Sequence, residues 1–77
     1  MKIEVLGTGC AKCNKLYEAT KEAIAEAGVD AELVKVEKIT EIASRGVLVT
    51  PALTVDGEVK FSGKVPKVSE LVKAITG

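Results

Sequence analysis

The chain contains two cysteines, Cys10 and Cys13, separated by Ala11 and Lys12, and it contains no histidine. Without an imidazole there is no His general base, no His-ligated metal and no Ser-His or Cys-His pair, which removes most hydrolytic mechanisms. The available chemistry is that of thiols. Structural zinc wants four ligands, and with no further Cys or His a mononuclear zinc site would need carboxylates or a second chain. The metal set is therefore read as none, and no cofactor is implied. Two thiolates alone suit a soft ion such as Cu(I), which keeps a metal-binding module or metallochaperone as the alternative to thiol–disulfide exchange.

Exchange depends on where a CxxC sits. Residues 2–7 mix β-branched and apolar side chains and run into Gly7-Thr8-Gly9, the pattern of a strand entering a turn. From Ala11 to Ala27 the positions Cys13, Leu16, Thr20, Ala23, Ile24 and Ala27 recur at helical spacing, and Gly28 fits the left-handed residue that closes a helix. Cys10 thus falls at a helix N-terminus and Cys13 one turn inside. Unpaired N–H groups and the positive end of the helix dipole favour a thiolate there, so Cys10 is expected to be acidified. Cβ atoms three apart on a helix lie about 5–6 Å apart and a disulfide wants about 3.5–4.5 Å, so closing the pair needs only modest relaxation. Cys13 shares the apolar face with Leu16 and Thr20. Cys10 is accordingly read as the exposed attacking thiol and Cys13 as the shielded thiol that resolves the mixed disulfide. Lys12 has two readings: a cation that stabilises the Cys10 thiolate, or a solvated residue of the first turn.

The rest of the chain supplies a scaffold. Residues 31–37 are Val-rich and read as a second strand, which a helical crossover makes parallel to the first. Thr40 is expected to cap a short helix over residues 41–45 that stops at Gly46. Val47-Leu48-Val49-Thr50-Pro51 reads as extended and apolar, continuing as the strand Ala52-Leu53-Thr54-Val55. Asp56-Gly57 turns it into a hairpin with Val59-Lys60-Phe61. Pro66 suits the first turn of a last helix whose Val68, Leu71, Val72 and Ile75 form one apolar stripe. The order is β-α-β-α-β-β-α. Pro51 also has two readings: a plain strand start, or a cis peptide that frees the Thr50 backbone to pair with an extended substrate. Only about 5–6% of X–Pro bonds in folded proteins are cis, so the residues alone favour the first.

Seventy-seven residues, 47% of them hydrophobic and 29% charged, are enough for one small domain over 1–77 and too few for two. Eleven basic and eleven acidic residues interleave to a net charge of zero, so neither nucleic acid nor an anionic membrane is expected as a partner. The opening residues 1–7 carry Glu4 within a short apolar run and no cleavage signal, the reading of a cytoplasmic protein.

The strand, Gly-Thr-Gly-Cys-Ala-Lys-Cys, the long helix and then Val-Thr-Pro-Ala-Leu-Thr-Val-Asp-Gly resemble the thioredoxin superfamily across the whole chain. Gly63-Lys64-Val65-Pro66 strengthens the likeness to its small archaeal and bacterial members, the redox-active disulfide protein 2 type. The resemblance implies an α/β, minimal thioredoxin-like fold: a four-stranded mixed sheet with the first and third strands central and helices on both faces. It implies a cis Pro51 beside the cysteines, with Thr50 and Pro51 contacting substrate and Gly63 in a nearby loop. It also implies that Glu4, six residues before Cys10, is a buried acid that helps proton transfer from the second cysteine. The activity implied is reduction of disulfides in partner proteins by a monomer that an upstream thiol reductase recharges. The chain departs from the Trp-Cys-Gly-Pro-Cys and Cys-Pro-Tyr-Cys signatures, with Lys12 standing where those motifs put Pro or Tyr. Heavy-metal-associated domains, the rival family, run β-α-β-β-α-β and usually carry Met before the cysteines, where this chain has Gly7-Thr8-Gly9.

Overall fold

The computed structural model describes residues 1–76. Its elements are β1 (Lys2–Leu6), α1 (Ala11–Ala27), β2 (Glu32–Val36), α2 (Ile39–Ser44), β3 (Ala52–Val55), β4 (Glu58–Ser62) and α3 (Val68–Thr76). The strands form one mixed sheet in the order β2-β1-β3-β4. β1 runs parallel to β2, with Val5 opposite Lys35, and antiparallel to β3, with Val5 opposite Leu53. β3 and β4 form the antiparallel hairpin, irregular between Leu53 and Thr54.

Alternation along the strands divides the core into two layers. Ile3 and Val5 of β1 and Leu53 and Val55 of β3 pack against Leu16 and Ala23 of α1 and Leu71 and Ile75 of α3. Leu6, Val36 and Ala52 point the other way, onto Ile42 of α2 and Val47. Each aliphatic side chain so buried stabilises the fold by about 1.5–3 kcal/mol relative to exposure, which is why β1 and β3, buried on both faces, take the centre of the sheet.

The ends of the elements follow local chemistry. α1 stops where Gly28 turns left-handed (φ 67°) and its N–H donates to the Ile24 carbonyl at 3.1 Å. Thr20 is buried in α1, and its hydroxyl donates to the Leu16 carbonyl at 2.7 Å. Asp56 (φ 50°) and Gly57 (φ 86°) both take the left-handed geometry that a two-residue hairpin turn requires.

Three expectations about boundaries are corrected. Thr40 does not cap α2: the Ile42 N–H donates to the Lys38 carbonyl at 3.0 Å, so the first turn closes around Lys38 and Thr40 lies inside the helix. The apolar run at 47–51 does not form part of a strand. β1 ends at Leu6 opposite Ala52, and beyond it the chain turns off into α1, so residues 47–51 have no strand beside them on that side. On the other side the only backbone bond among the described residues is from the Gly63 N–H to the Pro51 carbonyl. Val47 is buried there while Leu48 stands 96% exposed. Pro66 lies before α3 rather than in its first turn. The helix instead starts after Lys67, whose carbonyl accepts from the Leu71 N–H at 3.1 Å and whose own N–H donates to the Glu70 carboxylate at 3.2 Å.

Candidate functional site

The C-terminal end of β1, the N-terminal end of α1 and the start of β3 meet at one end of the sheet. The Gly7 N–H donates to the Val36 carbonyl at 2.9 Å, which carries the parallel pairing one residue past β1 before Gly7-Thr8-Gly9 turns the chain into α1. Cys10 is the N-cap of α1 (φ −69°, ψ 165°), and its sulfur accepts the Cys13 N–H at 3.2 Å. The sulfur therefore occupies the place of a capping oxygen and satisfies one of the free donors of the first turn. Cys10 and Cys13 are joined as a disulfide with Cα atoms 5.1 Å apart. Cys10 is exposed at the surface, whereas Cys13 is only 5% exposed, facing the β1–α1 layer of the core.

Gly7 is what lets Cys13 reach that position. A Cβ on Gly7 would overlap the Cys13 sulfur and stand 3.0 Å from the Cys13 Cβ. Sequence reasoning treated this glycine as part of a turn and missed its contact. The available signal was a glycine at the end of a central strand, where a backbone accepts close approach of another group.

The Thr50–Pro51 peptide bond is cis, and Pro51 is buried at the head of β3. Its carbonyl accepts the Gly63 N–H at 2.8 Å, and the Ser62 hydroxyl donates to the Val49 carbonyl at 3.0 Å, so β4 fastens the loop before Pro51. The structure thus brings Pro51 and Gly63 together. Thr50 is exposed and lines an apolar cleft of about 310 Å³ with Ile39, Ile42, Val47 and Leu48; Thr8, two residues before Cys10, forms its near wall. Lys12 is exposed on the first turn of α1.

Glu4 is buried, on the face of β1 opposite the one that Gly7 presents to Cys13. Its neighbours Ile3 and Val5 face α1, so its own side chain leaves β1 on the α2 side. There Arg45, just after α2, grips it with Nε on Oε1 at 3.0 Å and Nη2 on Oε2 at 2.8 Å, and the Thr54 hydroxyl donates to Oε1 at 3.1 Å. Arg45's hydrogen bonds hold the carboxyl below its ordinary pKa range against the opposing effect of burial, with Thr54 adding to the lowering. Counting six residues back from Cys10 locates a buried acid, yet alternation along β1 sends it to the opposite layer from Cys13. Arg45, forty-one residues from Glu4 in the chain, carries no local signal of this pairing.

Among the described residues no helix is long and apolar enough to cross a membrane. A family model described as a thioredoxin domain matches residues 1–76. A protein named thioredoxin from Methanocaldococcus jannaschii is 49% identical over 69 residues, covering 90% of this chain and 79% of the relative. Another named thioredoxin, from Methanothermobacter thermautotrophicus, is 41% identical over 76 residues and covers 99% of both chains. With the four-stranded mixed sheet, the capped first helix and the Cys10–Cys13 pair in place, the chain belongs to the thioredoxin-domain family.

Proposed function

We propose that the protein is a thiol–disulfide oxidoreductase that reduces disulfides in partner proteins with Cys10 and Cys13. The observation that carries this reading is the unequal placement of a bonded pair: one sulfur caps a helix at the surface and the other is buried one turn in. Membership of the thioredoxin-domain family and the two relatives named thioredoxin support the same chemistry.

In the forward reaction the Cys10 thiolate attacks a substrate disulfide and expels one substrate thiolate, leaving a mixed disulfide. Cys13 then loses its proton and attacks the Cys10 sulfur. The Cys10–Cys13 bond forms, the bond to substrate breaks, and the second substrate sulfur departs and is protonated. Two electrons have passed from the cysteine pair to the substrate disulfide, and an upstream thiol reductase returns them. Both helix-end effects, the free N–H groups and the dipole, favour Cys10 as the attacking thiolate. Lys12 adds a cation on the same turn. Thr50, Pro51 and Gly63 form the substrate-contacting rim, where an extended segment lies along the cleft between α2 and residues 47–50. One domain over residues 1–77, acting as a cytoplasmic monomer, is sufficient for this cycle. A Cu(I) carrier is the competing use of the same two thiols. The element order, with α2 between β2 and β3, differs from the β-α-β-β-α-β order of heavy-metal-associated domains.

The test is a glutathione redox titration followed by alkylation and mass spectrometry, run with an insulin-reduction assay and a competitive Cu(I) titration. Formation of the intramolecular disulfide within the range of thioredoxin-like couples, roughly −270 to −120 mV, together with insulin reduction supports the proposal. A pair that stays reduced in strongly oxidising glutathione, or tight Cu(I) binding without reductase activity, overturns it.

A further inference from the structure

Resolution of the mixed disulfide requires Cys13 to lose a proton, and Glu4 is committed to Arg45 and Thr54 in the other layer. On the Cys13 side lies a small cavity of about 10 Å³ bordered by Gly7, Gly9, Cys13, Asn14, Lys35 and Glu37. That space matches about one water molecule. Lys35 lies in β2 and Glu37 directly follows the strand, and both border this cavity on the same side of the sheet. That side faces α1, because Lys35 Nζ lies 4.5 Å from the centre of the Tyr17 ring. The Glu37 carboxylate reaches over the turn before the cysteines: a Cβ on Gly9 would stand 3.3 Å from Glu37 Oε2.

We propose that Glu37 accepts, through a water in this cavity, the proton that Cys13 gives up during resolution, and returns it when the Cys10–Cys13 bond is reduced. The inference rests on the oxidoreductase reading and names the proton route of that same site. The groups facing the cavity decide which residue takes the proton. β2 contributes Lys35 and the residue just after the strand is Glu37; α1 contributes Asn14 with Tyr17 beneath Lys35, and β1 and the turn contribute only Val5 and the two glycines. Lys35 as an ammonium has no free lone pair and the Asn14 amide is not basic, so the Glu37 carboxylate is the one proton acceptor. Lys35 borders the same cavity with its ammonium over the Tyr17 ring, and its positive charge on this side favours the Cys13 thiolate as it forms. In the balanced step the S–H bond of Cys13 breaks, its proton passes through water to Glu37, the Cys10–Cys13 bond forms, and the departing substrate thiolate is protonated from solvent.

Reduced protein mixed with 5,5′-dithiobis(2-nitrobenzoate) in a stopped-flow instrument separates the two steps. Attack by Cys10 releases one thionitrobenzoate, and resolution by Cys13 releases another. Glu37→Gln is expected to slow the later release on the order of a hundredfold near neutral pH, the low end of general-base effects. Its rate should recover only toward the range of a free thiol, about pH 8.5, while the earlier release is unchanged. Glu37→Asp, still basic, should restore part of the rate, and Glu26→Gln, exposed near the far end of α1, should alter neither phase. A later release in Glu37→Gln with the wild-type rate and pH profile overturns the proposal. So does equal slowing by Gln and Asp without a shifted profile, which would mark a structural contact. Failure of the wild type to reduce insulin would instead strike the proposed function, and Glu37-dependent resolution of the small adduct would then leave the proton route standing.

Discussion

Replacing Glu4 with Gln tests the assignment of this buried acid to structure. Three hydrogen bonds converge on its carboxylate, two from Arg45 at 2.8 and 3.0 Å and one from the buried Thr54 hydroxyl at 3.1 Å. Removing one member of a fully buried ion pair costs about 3–5 kcal/mol. The Arg45 side chain, however, is 30% exposed and recovers water when its partner is neutral, and a Gln carbonyl still accepts one of the bonds. The expected loss is therefore smaller, about 2 kcal/mol, within the range for a hydrogen bond to a charged group. For a domain of this size each kcal/mol shifts the melting temperature by roughly 4–8 °C, so Glu4→Gln should melt about 8–16 °C lower near neutral pH. The folded-state pKa of Glu4 is lowered, chiefly by the Arg45 hydrogen bonds. Its contribution is then complete above the unfolded carboxylate value, about 4.3, and is lost as the pH falls through the folded value. The gap between wild type and variant should thus be widest near neutrality and close on acidification, as followed by circular-dichroism melts over a pH series. An unchanged melting temperature at neutral pH, or a gap that stays constant into strong acid, would refute the reasoning. A loss of disulfide reduction in a variant that melts normally would return Glu4 to the catalytic route.

Gly7→Ala should destabilise the oxidised protein by about 1–3 kcal/mol, because the new methyl group overlaps the Cys13 sulfur; a wild-type urea midpoint would show that the backbone yields without cost. Cys10→Ser should abolish insulin reduction, whereas Cys13→Ser should still attack and accumulate a mixed disulfide visible by mass spectrometry, with iodoacetamide titration of the single-Cys variants placing the lower pKa at Cys10. Exchanged phenotypes would reverse the roles. Leu48→Ser, at an exposed apolar position on the cleft beside Thr50, should raise KM for a protein disulfide and leave KM for a small disulfide and the melting temperature as they are; a change in melting temperature would show instead that Leu48 supports the fold.

The sequence was most legible where periodicity and punctuation agree. Six apolar or small positions on one face and a terminal glycine bound α1, and Asp56-Gly57 marks the hairpin, because these features act through local backbone energetics. The run at 47–51 has the composition of a strand and forms none for a physical reason: an apolar, β-branched segment becomes a strand only beside a neighbour that offers a ladder of hydrogen bonds, and β1 has already turned away. Thr40 and Pro66 misled in a similar way. Each suits a helix start, but the carbonyls of Lys38 and Lys67 determine where the ladders begin. The cysteines were legible in position and relative exposure, whereas Arg45, Glu37 and the contact made by Gly7 depend on how distant segments come together.

The Cys-Ala-Lys-Cys motif alone does not determine which sulfur is shielded. Helix geometry places the Cys10 side chain at the cap and the Cys13 side chain over the end of β1, but the sulfur of Cys13 can settle there only if the residue beneath it has no side chain. Gly7, three residues before Cys10, meets that condition, and the bond from its N–H to the Val36 carbonyl holds it in line with β1, where its α-carbon lies against Cys13. A bulkier residue at this place, on this backbone, would force the Cys13 sulfur outward and reduce the difference in exposure on which the division of roles depends. The asymmetry of the pair is therefore a property of the strand–turn–helix unit as a whole, with the turn glycine as necessary to it as either thiol.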